Sequence, residues 1–133
     1  MFTNYSIDEI IEAVQPSEVL GAHKGMVNYL LTDSRKLIFP SSTLFFAIKG
    51  KKLNGHNYIA DLYQKGVRAF VISEEINAID FPEAVFLRVK QSIAAMQRLA
   101  AYHRNKFDLP VIGITGSNGK TIVKEWLYTM LQD

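Results

Sequence analysis

The chain has no cysteine among its 133 residues. That absence excludes disulfides, thiolate nucleophiles and cysteine-ligated metal, and it agrees with a reducing compartment, so the cytoplasm is the expected location. There is no block of one charge either. The 15 Lys plus Arg against 13 Asp plus Glu leave a formal charge of +2 spread along the chain, which gives nucleic acid no footing. No apolar run reaches the length of a bilayer span, and the opening MFTNYSIDEI carries acids where a signal peptide would be apolar. A soluble, unexported protein is expected, with no membrane insertion. Repeats and low-complexity linkers are missing as well. What is present is apolar side chain, 48% of residues, enough to bury a core at this length without covalent staples.

Ser6 and Glu9 have the spacing of a capping box, and Ile7, Ile10, Ile11 and Val14 follow at helical period until Pro16, which predicts a short first helix. Residues 17–28, with Gly21 and Gly25, show no clear periodicity. Residues 29–31 read as a brief strand running into the polar Thr32-Asp33-Ser34-Arg35. Residues 44–48, 69–72 and 85–89 are short apolar runs, as strands buried on both faces are. After the first of these, Tyr58, Ile59, Leu62 and Tyr63 share a helical face, with Asn57 placed to cap the helix and Gly66 to end it. Strand, helix, strand in this order predicts parallel pairing through a right-handed crossover.

From Ser92 a longer helix is expected, with Ile93, Met96, Leu99, Ala100, His103 and Phe107 as its apolar stripe, ending before Pro110. Residues 111–115 then read as a strand, and Val123, Trp126, Leu127, Met130 and Leu131 as the stripe of a last helix. The expected fold class is α/β: a small alternating domain with a partly parallel sheet over residues 1–90, a connecting helix over 91–109, and over 110–133 the first strand, loop and helix of a P-loop ATP-binding domain. One strand makes no parallel sheet, so the chain reads as a fragment cut early in its second domain. Its unpaired strand and helix are expected to pack on the first domain, to drive self-association, or to stay disordered.

The strongest local signal is VIGITGSNGKT at residues 111–121. A strand, a glycine turn and a helix opening on Lys-Thr cradle a phosphate, because backbone N–H groups and the helix N-terminus converge on the anion. Gly116 and Gly119 permit the turn, Lys120 suits the β and γ phosphates of ATP, and the Thr121 hydroxyl suits Mg²⁺. The strict GxxxxGK[ST] spacing is not met, since the residue five before Gly119 is Ile114. The shorter GSNGKT form preceded by Ile-Thr stands here instead.

Upstream, Thr32-Asp33-Ser34-Arg35, then LFFAIKG at 44–50, NGHNYI at 54–59 and KGVRA at 65–69 occur in that order. Together with the loop, these blocks resemble the Mur ligases, in the pattern of their amino-terminal domain, over almost the whole chain. Asn54 stands where that pattern usually has Asp, Ser42-Thr43 where it has Gly-Asp, and Ile122 where a second Thr is common.

The resemblance implies an ATP- and Mg²⁺-dependent ligase that phosphorylates the peptide carboxylate of a UDP-linked cell-wall precursor and lets an amine displace the phosphate. It implies UDP-precursor contacts at Thr32, Ser34, Lys51, Lys52 and Leu53, ATP-phosphate contacts at Gly116, Ser117, Asn118, Gly119, Lys120, Thr121 and Ile122, a catalytic Lys120 and a metal-binding Thr121. Val-Lys-Glu at 123–125 is most similar to members that join D-alanyl-D-alanine to UDP-N-acetylmuramoyl-tripeptide. The member acting one step earlier, which adds a diamino acid, is the close alternative, and a non-catalytic UDP-sugar-binding module is the other.

For Lys51 and Lys52 two readings stay open, a diphosphate contact or a solvated loop tip. Asp33 and Arg35 read more readily as a pair fixing their loop than as catalysts. His56, with no second ligand at metal spacing, reads as a hydrogen-bonding residue, and His103 as a core or interface residue.

Overall fold

The computed structural model describes residues 4–22 and 24–132. Of the stretches read above, residues 1–3 of the opening segment, His23 and Asp133 lie outside the described residues.

The described chain runs β1 (Tyr5–Ser6), α1 (Ile7–Val14), β2 (Glu18–Gly21), β3 (Met26–Val27), β4 (Tyr29–Leu31), β5 (Thr43–Phe46), α2 (Ile59–Gln64), β6 (Ala69–Ile72), β7 (Val85–Arg88), α3 (Ser92–Asn105) and α4 (Lys120–Met130). Five strands form one sheet in the order β2-β7-β6-β5-β4, and β1 pairs with β3 in a separate ladder. From β4 to β7 every pairing is parallel, with Leu44 opposite Ala69 and Phe70 opposite Phe86. Only β2 runs antiparallel, beside β7. It carries no alternating pattern because it is an edge strand with three of its four residues exposed, and Glu18 reaches Arg88 across the pair at 3.0 Å.

Alternation within the buried runs splits the core in two. Leu44, Phe46, Ala69, Val71, Val85 and Leu87 face α1 and α3, while Phe45, Phe70, Ile72 and Phe86 face Ile59 and Leu62 of α2. Phe70 and Phe86 stack with ring centroids 5.1 Å apart, and Phe45 meets Phe70 edge-on. Each such side chain contributes about 1.5–3 kcal/mol by leaving water.

The first helix carries the expected capping box: the Ser6 hydroxyl accepts the Glu9 N–H, and the Glu9 carboxylate accepts the Ser6 N–H. In α2 the cap differs from expectation. A 3₁₀ turn over Gly55–Tyr58 precedes the helix, and Asn54, not Asn57, caps that turn. The buried side of α3 is also rotated from the expected stripe. Ser92, Ala95 and Leu99 are buried, whereas Ile93 is half exposed and Ala100 is exposed. The helix is set by polar anchors that apolar periodicity does not register: the Ser92 hydroxyl donates to the Ala47 carbonyl at 2.7 Å and the Arg98 guanidinium to the Val14 carbonyl at 2.9 Å.

Residues 111–115 form no strand, since no neighbouring strand supplies the other half of a ladder. The stripe on α4 does form a helix, but it does not pack on the domain: Trp126, Met130 and Leu131 are each at least two-thirds exposed. The buried residues of the sheet already pack with α1 and α3 on one face and with α2 on the other. Among the described residues no helix is long and apolar enough to cross a membrane.

Candidate functional site

Parallel strands end on the same edge of a sheet, and ligands of open α/β sheets bind outside those carboxyl ends. Here β4 ends into Thr32-Asp33-Ser34-Arg35 and β5 into Ile48 and the turn beyond it. Between them lies a cleft of about 450 Å³ lined by Thr32, Asp33, Ser34 and Arg35 on one side and by Ile48, Leu53, Gly55 and Tyr58 on the other.

Asp33 shapes the first wall. Its carboxylate caps the following 3₁₀ turn by accepting the Arg35 N–H at 3.1 Å, and takes both Nε and Nη2 of the Arg35 guanidinium at 2.9 and 2.8 Å. Those bonds hold the Asp33 pKa down at about 2. The loop-fixing role expected of this pair is what the geometry shows, and both residues also line the cleft.

The second wall is a tight turn. Lys49 and Asn54 face each other in an antiparallel bridge, and the Gly50 N–H donates to the Leu53 carbonyl at 2.8 Å. Gly55 then returns the chain to the segment just beyond β5, where its N–H donates to the Ile48 carbonyl at 2.9 Å. No side chain fits there, because a Cβ on Gly55 would lie 2.7 Å from the Ile48 nitrogen. Lys51 and Lys52 are exposed at the tip of this turn and are not among the residues lining the cleft. Of the predicted precursor contacts, Thr32, Ser34 and Leu53 therefore share one cleft, with the two lysines beside it.

Behind the turn, His56 is a hydrogen-bonding residue. Its Nε2 accepts the Ser73 and Glu74 N–H groups at 3.0 and 3.3 Å, which leaves Nδ1 to donate to Asn54 Oδ1 at 2.7 Å. Burial pushes the His56 pKa down, and Lys49 adds to that while Glu74 opposes it. His103 meets the Tyr5 hydroxyl at 2.7 Å, joining the end of α3 to β1. The sequence reading missed Ile48, Gly55 and Tyr58 as cleft residues. Tyr58 is expected on one helical face with Ile59, Leu62 and Tyr63, but it ends the 3₁₀ turn before α2 and lines the cleft, and the NGHNY block that carries the resemblance contains it.

The glycine loop stands apart from this cleft. Gly116 has φ 147° and Gly119 φ 78°, so the loop turns sharply before α4, whose first residue is Lys120. Residues 115–121 are all exposed. A Cβ at Gly119 would meet nothing within 4 Å, and the Lys120 ammonium donates to the Gly116 carbonyl, folding back over the loop. Ser117, Asn118, Thr121 and Ile122 border the same turn. The residues present fit a phosphate group: the first turn of α4 has no side-chain cap, and the Lys120 ammonium reaches the same loop at the Gly116 carbonyl. For Mg²⁺ they offer the Thr121 hydroxyl, and among the described residues no cluster of three or more His, Asp or Glu assembles a further metal centre.

Comparison with known proteins adds a family and its members. The model of the Mur ligase family, catalytic domain, matches residues 27–104, a span that ends before the glycine loop. A UDP-N-acetylmuramoyl-tripeptide–D-alanyl-D-alanine ligase of Haemophilus influenzae is 35% identical over 116 residues, covering 87% of this chain and 24% of the relative. A UDP-N-acetylmuramoyl-L-alanyl-D-glutamate–2,6-diaminopimelate ligase of Geobacter sulfurreducens is 38% identical over 117 residues, 86% of this chain and 22% of the relative. Among solved structures, MurF from Acinetobacter baumannii matches 98% of this chain and 28% of its own with a TM-score of 0.83 and 29% identity. The chain thus spans about a quarter of the length of the relatives it matches.

Proposed function

The chain belongs to the Mur ligase family, and from that premise we propose that it supplies the precursor-holding and phosphate-holding parts of an ATP-dependent, amide-forming ligase of peptidoglycan precursor assembly in the cytoplasm. The observation that carries the reading is the cleft, because it joins the Thr32–Arg35 block to the turn carrying Leu53 from separate strand ends. A UDP end fits such a place. The Thr32 and Ser34 hydroxyls offer donors and acceptors to a uracil edge, and Lys51 and Lys52 offer charge to a diphosphate.

Residues 110–133 we assign to the start of the ATP-binding unit, with Gly116 to Ile122 around the phosphates and Thr121 toward Mg²⁺. When bound, ATP with Mg²⁺ supplies the phosphoryl group that activates a peptide carboxylate. Lys120 then exchanges the Gly116 carbonyl for a phosphate oxygen, and its fixed charge is most valuable where negative charge develops. Within the family, the favoured step is addition of D-alanyl-D-alanine to UDP-N-acetylmuramoyl-tripeptide. Val-Lys-Glu after the loop and the likeness to MurF from A. baumannii support it. The similarity to the G. sulfurreducens ligase keeps diamino-acid addition as the alternative.

The test is titration of the chain with UDP and with UDP-N-acetylmuramoyl-peptide, followed by amide NMR. Shifts are expected at Thr32, Ser34 and Leu53, strongest with the peptide-bearing ligand. No response at millimolar ligand from a folded chain would overturn the assignment.

A further inference from the structure

We infer that Glu74 is a positioning residue for the turn that walls the cleft, an assignment that rests on reading this cleft as the precursor site. The turn from Lys49 to Asn54 is short and exposed, and its own backbone contributes one bridge and the Gly50 to Leu53 hydrogen bond. Something outside it must fix its width and tilt if Leu53 is to present a constant surface. Glu74 follows β6, the neighbour of β5 in the sheet, and it reaches both arms of the turn at once. One carboxylate oxygen lies 2.7 Å from the Lys49 ammonium, and the other accepts the Asn54 side-chain N–H at 3.0 Å.

The orientation of Asn54 is itself forced. Its Oδ1 accepts both the backbone N–H of His56 at 3.1 Å and the imidazole Nδ1–H at 2.7 Å, so only the amide nitrogen is left to face Glu74. The imidazole in turn is held by the Ser73 and Glu74 N–H groups. Turn, imidazole and the end of β6 are thus closed into one ring of hydrogen bonds. Two consequences follow for the cleft. An aspartate in place of Asn54 would set a second carboxylate against Glu74. And because Lys49 is engaged by Glu74, Lys51 and Lys52 are the lysines of this turn left to meet a diphosphate.

The experiment compares Glu74→Ala, Asn54→Asp and the double variant Asn54→Asp/Glu74→Gln with the parent chain. Two readouts are taken: amide hydrogen exchange, and calorimetric affinity for UDP-N-acetylmuramoyl-peptide. Each single variant is expected to speed exchange at Gly50 and Gly55 by about tenfold or more while β5 and β6 keep their protection, and to weaken affinity by about tenfold, since the turn's order must then be regained on binding. The double variant is expected to recover both, because the introduced glutamine amide donates to the introduced carboxylate and its oxygen still accepts from Lys49. Unchanged exchange at Gly50 and Gly55 in Glu74→Ala, or a double variant no better than Asn54→Asp, would overturn the role of Glu74. Should Glu74→Ala unfold, the comparison of Asn54→Asp with its double decides alone. A parent chain that binds no precursor while exchange responds as expected would remove the cleft reading and leave the positioning of the turn standing.

Discussion

Single side chains carry the chemistry here, and the loop lysine is the plainest case. In an intact enzyme containing this chain, Lys120→Ala is expected to lower turnover by roughly a hundredfold or more, with precursor affinity little changed, because a charge aimed at phosphoryl transfer acts mainly in the transition state. Steady-state kinetics beside precursor titration checks this, and near-normal turnover would remove Lys120 from its role. His56 gives a pH dependence. Its folded pKa lies below the ordinary 6.5, so the unfolded chain binds the proton more readily, and the contribution of His56 to stability is complete above pH 6.5 and fades as the pH falls toward the folded value. Protonation would turn Nε2 into a donor facing the Ser73 and Glu74 N–H groups. Denaturation midpoints should therefore drop between pH 7.5 and 5.5 more steeply for the parent than for His56→Gln, and equal slopes would contradict this. Much at this scale was legible beforehand. The block pattern points to Thr32, Ser34 and Leu53, which line one cleft, and the lack of metal partners points to the hydrogen-bonding character of His56. Glu74 was not legible, since no local pattern links it to a turn twenty residues earlier.

Among elements, the strands written as unbroken apolar runs were the readable ones. Residues 69–72 read as a strand with the bounds the structure has, because burial on both faces leaves a mark that needs no knowledge of the neighbours, and residues 29–31 do so although β4 is an edge strand with only Leu31 buried. Edge strand β2 left no mark, and α3 was found but turned, since Ser92 and Arg98 decide its rotation through hydrogen bonds to distant carbonyls. The strand expected over 111–115 shows the limit of local reading, for strand character in a sequence becomes a strand only beside a partner. The turn after β5 offers the sharpest test at this scale. Gly55→Ala would press a methyl group against the Ile48 nitrogen and Ala47 Cα, so a loss of about 1–3 kcal/mol in chemical denaturation is expected, with weakened precursor binding. Unaltered stability would mean that the close approach of turn and strand is not a constraint.

The whole molecule presents one well-covered domain and one uncovered helix. With Trp126, Met130 and Leu131 open to water, self-association rising with concentration is expected in light scattering, together with a blue shift of Trp126 fluorescence. Trp126→Glu/Met130→Glu should abolish both, and a chain that stays monomeric at high concentration with its stripe in water would contradict the expectation. Without partner strands for residues 111–115, the chain alone is also expected to release no phosphate from ATP in the presence of precursor and D-alanyl-D-alanine. The covered domain has a different property at its ends. The hydroxyl of Tyr5 meets His103, and the Lys106 ammonium reaches Glu9 at 3.0 Å and lies over the rings of Tyr5 and Tyr102. The path of the backbone is therefore nearly a closed loop, entering and leaving at one spot. Such a unit can be reopened elsewhere, for instance at the Lys51–Lys52 tip, with a short linker sealing residue 106 to residue 4, and its order of strands in space would survive a complete change in their order along the chain.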